Sequence, residues 1–155
     1  MAQKSIKDLA KRMKEIDFTM LSTRSAGGQI GARPMSNNRD VDYNGDSYYF
    51  TTDDTLMVAD IARDPQVGLS FQGKAGLFGQ RPLFVAVEGR AELIRDKGQF
   101  AAHWTSDLDR WFSDGVDTAG LVLIKVHAER AHYWDGSDEG EVLLDVDRGA
   151  FIGGP

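Results

Sequence analysis

The chain has 155 residues, a formal net charge of -6 and no cysteine. That charge argues against a nucleic acid or an anionic membrane surface as partner, and the missing cysteine removes disulfide frameworks and thiolate chemistry. No apolar run approaches the ~20 residues of a membrane-spanning helix. The opening Met-Ala-Gln-Lys-Ser-Ile-Lys-Asp carries charges where a signal peptide needs an apolar stretch. A cytoplasmic chain forming one domain over residues 1–155 is the expectation.

Ser5 to Ile16 predicts an amphipathic helix that completes an N-terminal segment over residues 1–16. Ile6, Leu9, Met13 and Ile16 form one stripe, with Lys7, Lys11, Lys14 and Glu15 opposite. Ser5 followed by Asp8 is a capping-box-like start. Phe18 to Thr23 alternates as a strand, Ser25-Ala26-Gly27-Gly28 signals a turn, and Gln29 to Ser36 predicts a second strand. Asn44-Gly45-Asp46 turns the chain into a third, Ser47 to Thr51. A short helix over Leu56 to Arg63 stops at Asp64-Pro65.

Gln66 to Gln72 alternates cleanly as a fourth strand, and the glycine-rich, basic stretch from Gly73 to Arg81 reads as a long hairpin loop. Leu83 to Ile94 predicts a long fifth strand in which Gly89 marks a bulge or bend. Asp96 to Trp104 reads as helical, with an aromatic segment at Leu108 to Phe112. Gly120 to Ala128 predicts a sixth strand, and Arg130 to Trp134 a short extended piece. The tail over residues 145–155 is charged and then glycine-rich, which predicts mobility. Six or seven strands with few helices, joined mainly as hairpins, predict a mainly β fold of small-barrel type.

The chemistry-bearing residues gather where strands end. Arg33-Pro34-Met35-Ser36 closes one predicted strand; Tyr49-Phe50-Thr51-Thr52 closes the next and leads through Asp53, Asp54 and Thr55 into a helix. A strand-end arginine, hydroxyls and a helix N-terminus together make a seat for a phosphate, because unpaired backbone N–H groups and the helix dipole favour an anion. Each residue also has an ordinary reading. Arg33 could pair with Asp40 or Asp42 on the surface, the aromatics and threonines follow β-propensity, and Thr55 is a natural helix cap.

His103, His127 and His132 show no metal-ligand spacing, so no metal site is expected; His127 reads as a satisfied structural histidine. The loop Gly73-Lys74-Ala75-Gly76 lacks the spacing of a nucleotide-binding loop. No nucleophile elbow or paired-carboxylate site stands out, so a cofactor would have to carry any chemistry.

In their order and spacing these segments resemble the FMN-binding split barrels of the pyridoxamine 5′-phosphate oxidase superfamily, and within it the general stress protein 26 branch. Trp111-Phe112-Ser113-Asp114-Gly115 resembles that branch's tryptophan-phenylalanine-glycine segment, and Tyr133-Trp134 its late tyrosine-tryptophan pair. The resemblance implies a six-stranded antiparallel split β-barrel that forms a homodimer, with FMN at the subunit interface. Arg33, Thr52 and Thr55 would hold the phosphate and ribityl end. Pro34, Met35, Ser36, Tyr49, Phe50 and Thr51 would flank the ring, and Trp111 and Trp134 would close the pocket.

One departure stands out. Many relatives carry a lysine or a basic pair where this chain has Leu56-Met57. Lys74, Arg81 or Arg39 could substitute, including from a partner subunit. The loss of one charge-assisted contact weakens binding by ~1.5–3 kcal/mol, one to two decades in affinity.

The implied function is a flavin-dependent oxidoreductase acting on a small redox substrate, with NAD(P)H as a candidate donor. A non-catalytic flavin carrier linked to stress is the alternative, as is a split barrel that uses deazaflavin or haem. FAD in place of FMN stays open, and fold analogy does not fix the substrate.

Overall fold

The computed structural model describes residues 4–37, 43–74, 78–79 and 81–144. The segments around Asp40 and Asp42, the middle of the Gly73–Arg81 stretch and the tail over 145–155 lie outside them. The expectations placed on those segments, Arg39 included, lie outside the described residues too.

Helix α1 (Ile6–Met13) begins on the expected capping box: the Ser5 side chain accepts from the Asp8 backbone, and the Asp8 carboxylate accepts from the Ser5 backbone. It is shorter than the periodicity suggests. Lys14 already serves as the C-cap, and Ile16 reaches the core from the following turn.

Among the described residues seven antiparallel strands form one sheet: β1 (Phe18–Arg24), β2 (Ile30–Ser36), β3 (Asp46–Thr52), β4 (Gln66–Gln72), β5 (Leu83–Ile94), β6 (Leu121–Asp135) and β7 (Asp138–Leu143). The order is β2-β1-β4-β5-β6-β3, with β7 beside the far half of β6. No pairing joins β2 to β3 among the described residues. The sheet therefore curls around its core as a split barrel, mainly β as expected, with one strand more than six.

One feature of β6 differs from the sequence reading. The predicted strand at Gly120 to Ala128 and the piece at Arg130 to Trp134 are one 15-residue strand. Its register against β5 shifts at Glu88/Gly89, the bulge expected at Gly89 in the middle of β5. Strand β7 follows through a tight turn at Gly136, whose φ is +65°. Its acidic composition hides an alternating pattern of burial.

The inward faces of the strands make the main core, in which Leu21, Leu69, Val85, Val87, Val122 and Ile124 are almost wholly buried. Helix α2 (Leu56–Arg63) covers one end of this barrel with Met57, Val58 and Ile61. The run from Leu121 to Ile124 is apolar at every position because β6 is covered on both faces there. Its outer residues, Leu121 and Leu123, pack with Phe50 and Phe100 under α3 (Lys97–His103) and the 3-10 turn Ser106–Arg110 that follows it.

Candidate functional site

The edge strands β2 and β3 and the aromatic cover beside β3 enclose a cavity of about 380 Å3. Alternation on β3 divides its walls: Tyr49 turns into the barrel core, whereas Tyr48 and Phe50 face the second cluster. Phe50 meets Phe100 and Trp104 edge-on, at ring-centroid distances of 5.9 and 4.9 Å, and Trp104 meets Phe112 at 5.8 Å. Burial pushes the Tyr49 phenol up to about 12, so it stays neutral throughout the physiological range.

Many of the residues singled out in the sequence meet at this cavity. Pro34, Met35 and Ser36 line it from β2, and Tyr49, Phe50, Thr51 and Thr52 from β3. Trp111 closes it from the far side, together with Phe112. Trp111 is itself 58% exposed, which leaves a flat ring at the rim. Asn37, Tyr48, His103, Thr105 and Asp107 also line it and were not singled out in the sequence as site residues. No lysine or arginine is among the described lining residues. The walls suit a planar, uncharged, hydrogen-bonding group held between hydroxyls and rings.

His103 could not have been placed from sequence, since only the fold brings α3 onto β3. Its ring lies against Tyr48, with centroids 3.8 Å apart and planes 16° apart. Burial, helped by the charge of Lys125, holds its pKa below the usual 6.5, which favours the neutral imidazole.

Arg33, Thr55, Leu56 and Met57 do not line the cavity. Arg33, next in sequence to Pro34, lies on β2 opposite Leu21 of β1. Its Nη1 donates to the Thr23 hydroxyl at 2.8 Å and to the Leu21 and Gly31 carbonyls at 3.2 and 3.4 Å. The rest of the guanidinium has no partner among the described residues. The surface pairing with Asp40 or Asp42 lies outside the described residues.

Thr55 is the N-cap of α2, accepting from the Val58 amide at 3.3 Å, and its hydroxyl donates to the Thr52 carbonyl at 3.2 Å. Neither neighbouring carboxylate caps the helix: Asp53 pairs with Arg95 at 2.7 Å, and Asp54 accepts from the Thr52 hydroxyl at 2.6 Å. Leu56 is 81% exposed, whereas Met57 is buried in the core.

Trp134 lies on β6, away from this cavity within one chain. It stacks on His132 with centroids 4.3 Å apart, and His132 Nε2 meets Glu139 at 2.8 Å. His127 Nδ1 sits 2.6 Å from Asp46, the satisfied arrangement expected of it. Among the described residues no group of three or more His, Cys, Asp or Glu comes together to hold a metal, and no helix is long and apolar enough to cross a membrane.

Solved structures share the architecture. A protein related to general stress protein 26 from Clostridium acetobutylicum superposes with a TM-score of 0.75 at 16% identity, covering 90% of this chain and 94% of that one. General stress protein 26 from Bacillus anthracis gives 0.68 at 20% identity, over 86% of this chain and 94% of that one. A haem-binding protein from Mycobacterium smegmatis gives 0.73 at 15% identity, covering 93% of this chain and 60% of that one. At these identities the likeness is one of fold. No curated protein matches the chain. The family model for pyridoxamine 5′-phosphate oxidase-like proteins matches residues 4–148, and the chain belongs to that family.

Proposed function

We propose that the chain binds FMN and acts as a flavin-dependent oxidoreductase of the general stress protein type. The observation that carries this reading is the division of labour at the β2–β3 edge. A cavity with no lysine or arginine among its described lining residues, walled by hydroxyls, Trp111 and Phe112, adjoins an arginine whose second guanidinium edge meets no partner among the described residues. FMN has the matching division, a neutral planar ring and an anionic phosphate on a flexible chain.

The donor set therefore fits the group. Pro34 to Ser36 and Tyr49 to Thr51 would flank the ring, Thr52 and Thr55 would meet the ribityl chain, and Arg33 would take the phosphate as a planar fork. Leu56 and Met57 add no charge to this seat. Bound FMN would supply hydride and single-electron transfer. The protein's part is to hold the ring, exclude water and leave a face open to a small substrate or to NAD(P)H.

A homodimer completes the site in this reading. Phe18, Met20, Phe84 and Trp134 are all exposed on the outward register of β1, β5 and β6, and Phe84 lies directly opposite Trp134. Phe18 also lines the cavity, so this apolar face is continuous with it. A second copy seated there would bury the face and bring the partner's Trp134 towards the ring. A chain without cysteine suits the cytoplasm.

Haem is the second reading. It is favoured by His103, a predominantly neutral imidazole in the cavity wall that could offer a nitrogen to iron.

The test is a visible spectrum after incubation with FMN and removal of free ligand, for the wild type and for Arg33→Ala. Retained flavin bands in the wild type, and their loss from a folded R33A protein, are expected. Stoichiometric FMN retained by R33A would overturn the site assignment. The flavin released on denaturation separates FMN from FAD and deazaflavin, and a Soret band after incubation with haem would favour the second reading. Reduction of the bound flavin by NADH or NADPH separates an enzyme from a carrier.

A further inference from the structure

We infer that Thr23 and Asp60 are positioning residues that set the Arg33 guanidinium for an organic phosphate. This rests on the reading of Arg33 as the phosphate ligand and adds to it the residues through which helix α2 controls that arginine. Thr23 is 2% exposed and Asp60 9% exposed, and both are polar groups buried where α2 packs on the barrel. Buried polar side chains persist where each has a partner, and here the partners form a chain.

The direction of every hydrogen bond in that chain is fixed by chemistry. Arg33 Nη1 can only donate, and does so to Thr23 Oγ1 at 2.8 Å. An ionised carboxylate can only accept, so the Thr23 hydroxyl donates to Asp60 Oδ2 at 3.0 Å. Asp60 Oδ1 faces Arg63 Nη2 at 3.4 Å, and that same nitrogen donates to the Arg24 carbonyl at 2.6 Å. A single hydroxyl thus links a carboxylate on the helix to a guanidinium on the edge strand.

This arrangement holds one edge of the Arg33 fork and leaves the other without a partner among the described residues. A loose arginine would lose much of its binding energy to ordering a long side chain, and a fork fixed in advance avoids that loss. Because Leu56 and Met57 at the helix start supply no cation, the fixing of Arg33 carries more of the phosphate recognition.

The test compares FMN with riboflavin, which has the same ring and no phosphate, by quenching of flavin fluorescence. The wild type should prefer FMN by about tenfold or more. Thr23→Val should reduce that preference towards the level of R33A while leaving riboflavin affinity unchanged, and Thr23→Ser should retain it. The double variant T23V/R33A should lose no more than R33A alone.

A T23V protein that melts as the wild type does and keeps the full FMN preference would overturn the inference. If T23V does not fold, Asp60→Ala carries the same expectation and the same reversal. A wild type that binds both flavins equally would overturn the reading of Arg33 as phosphate ligand. A preference lost in R33A but kept in both T23V and D60A would leave that reading standing and remove only the positioning role.

Discussion

His103 lies flat against Tyr48, with ring centroids 3.8 Å apart, and this stack joins helix α3 to strand β3 at the wall of the cavity. Burial and then Lys125 depress the histidine's pKa below 6.5. The folded state therefore binds a proton less readily than the unfolded chain. As pH falls below about 6.5 the unfolded state gains protons first, so stability drops through that window; above it the penalty vanishes. His103→Gln should flatten this part of the profile. Thermal midpoints of both proteins between pH 7.5 and 5 give the check, and parallel curves would show that His103 does not contribute.

The register shift in the middle of β5 and β6 depends on close backbone approach. A Cβ at Gly89 would lie 2.5 Å from the His127 carbonyl oxygen and 3.2 Å from Val126 Cγ1. Gly89→Ala should therefore cost about 1–3 kcal/mol, since backbone rather than a flexible side chain must move. Gly68→Ala is the control. Its methyl would meet the Val87 carbonyl oxygen at 3.6 Å, an ordinary contact, and should change stability by less than about 1 kcal/mol. Urea denaturation separates them; equal midpoints would remove the steric account of the bulge.

How much of this was legible in the sequence depended on how local the signal was. Helix α2 and strands β4 and β5 match their predicted bounds residue for residue. Thr55 caps one end of α2, Asp64-Pro65 stops the other, and both strands alternate between core and solvent. The two halves of β6 read as separate because the residues around Glu129 break the pattern, and only pairing with β5 carries the strand through. Strand β7 was missed because its burial comes from lying beside β6, not from an apolar composition.

The site divides in the same way. The β2 and β3 residues were legible because strand ends carry readable chemistry. His103, Asn37 and Asp107 were not, because the split of the barrel, a long-range feature, brings them to the cavity. Arg33 was singled out in the sequence, but its partners Thr23 and Asp60 looked like ordinary strand and helix residues.

The outward face of the sheet should hold a second copy of the chain. Phe84 and Trp134 are 40% and 39% exposed and sit opposite each other, with Phe18 and Met20 exposed on the same face. Phe84→Asp places a charge where an isologous contact would exclude water, so it should yield a folded monomer. Sedimentation of the wild type and of F84D is the measurement. A wild type that sediments as a monomer at high concentration would sink the dimer, and a dimeric F84D would place it on another face.

The helix start offers a gain-of-function prediction. Leu56 is 81% exposed and follows the cap residue Thr55, whereas Met57 packs in the core. Leu56→Lys should supply a second cation at the helix start, tightening FMN by about tenfold while leaving riboflavin affinity unchanged. A positive charge at a helix N-terminus costs about 0.3–1 kcal/mol in the unbound protein, so L56K should melt slightly lower without flavin and regain the difference with FMN. Met57→Lys should behave oppositely. Its side chain would replace buried thioether packing with an ammonium that must deprotonate or escape, and stability should fall without a gain in affinity. Paired titrations and melts of the two variants decide the matter. An L56K protein no tighter for FMN than the wild type would mean that the phosphate does not sit at the start of α2.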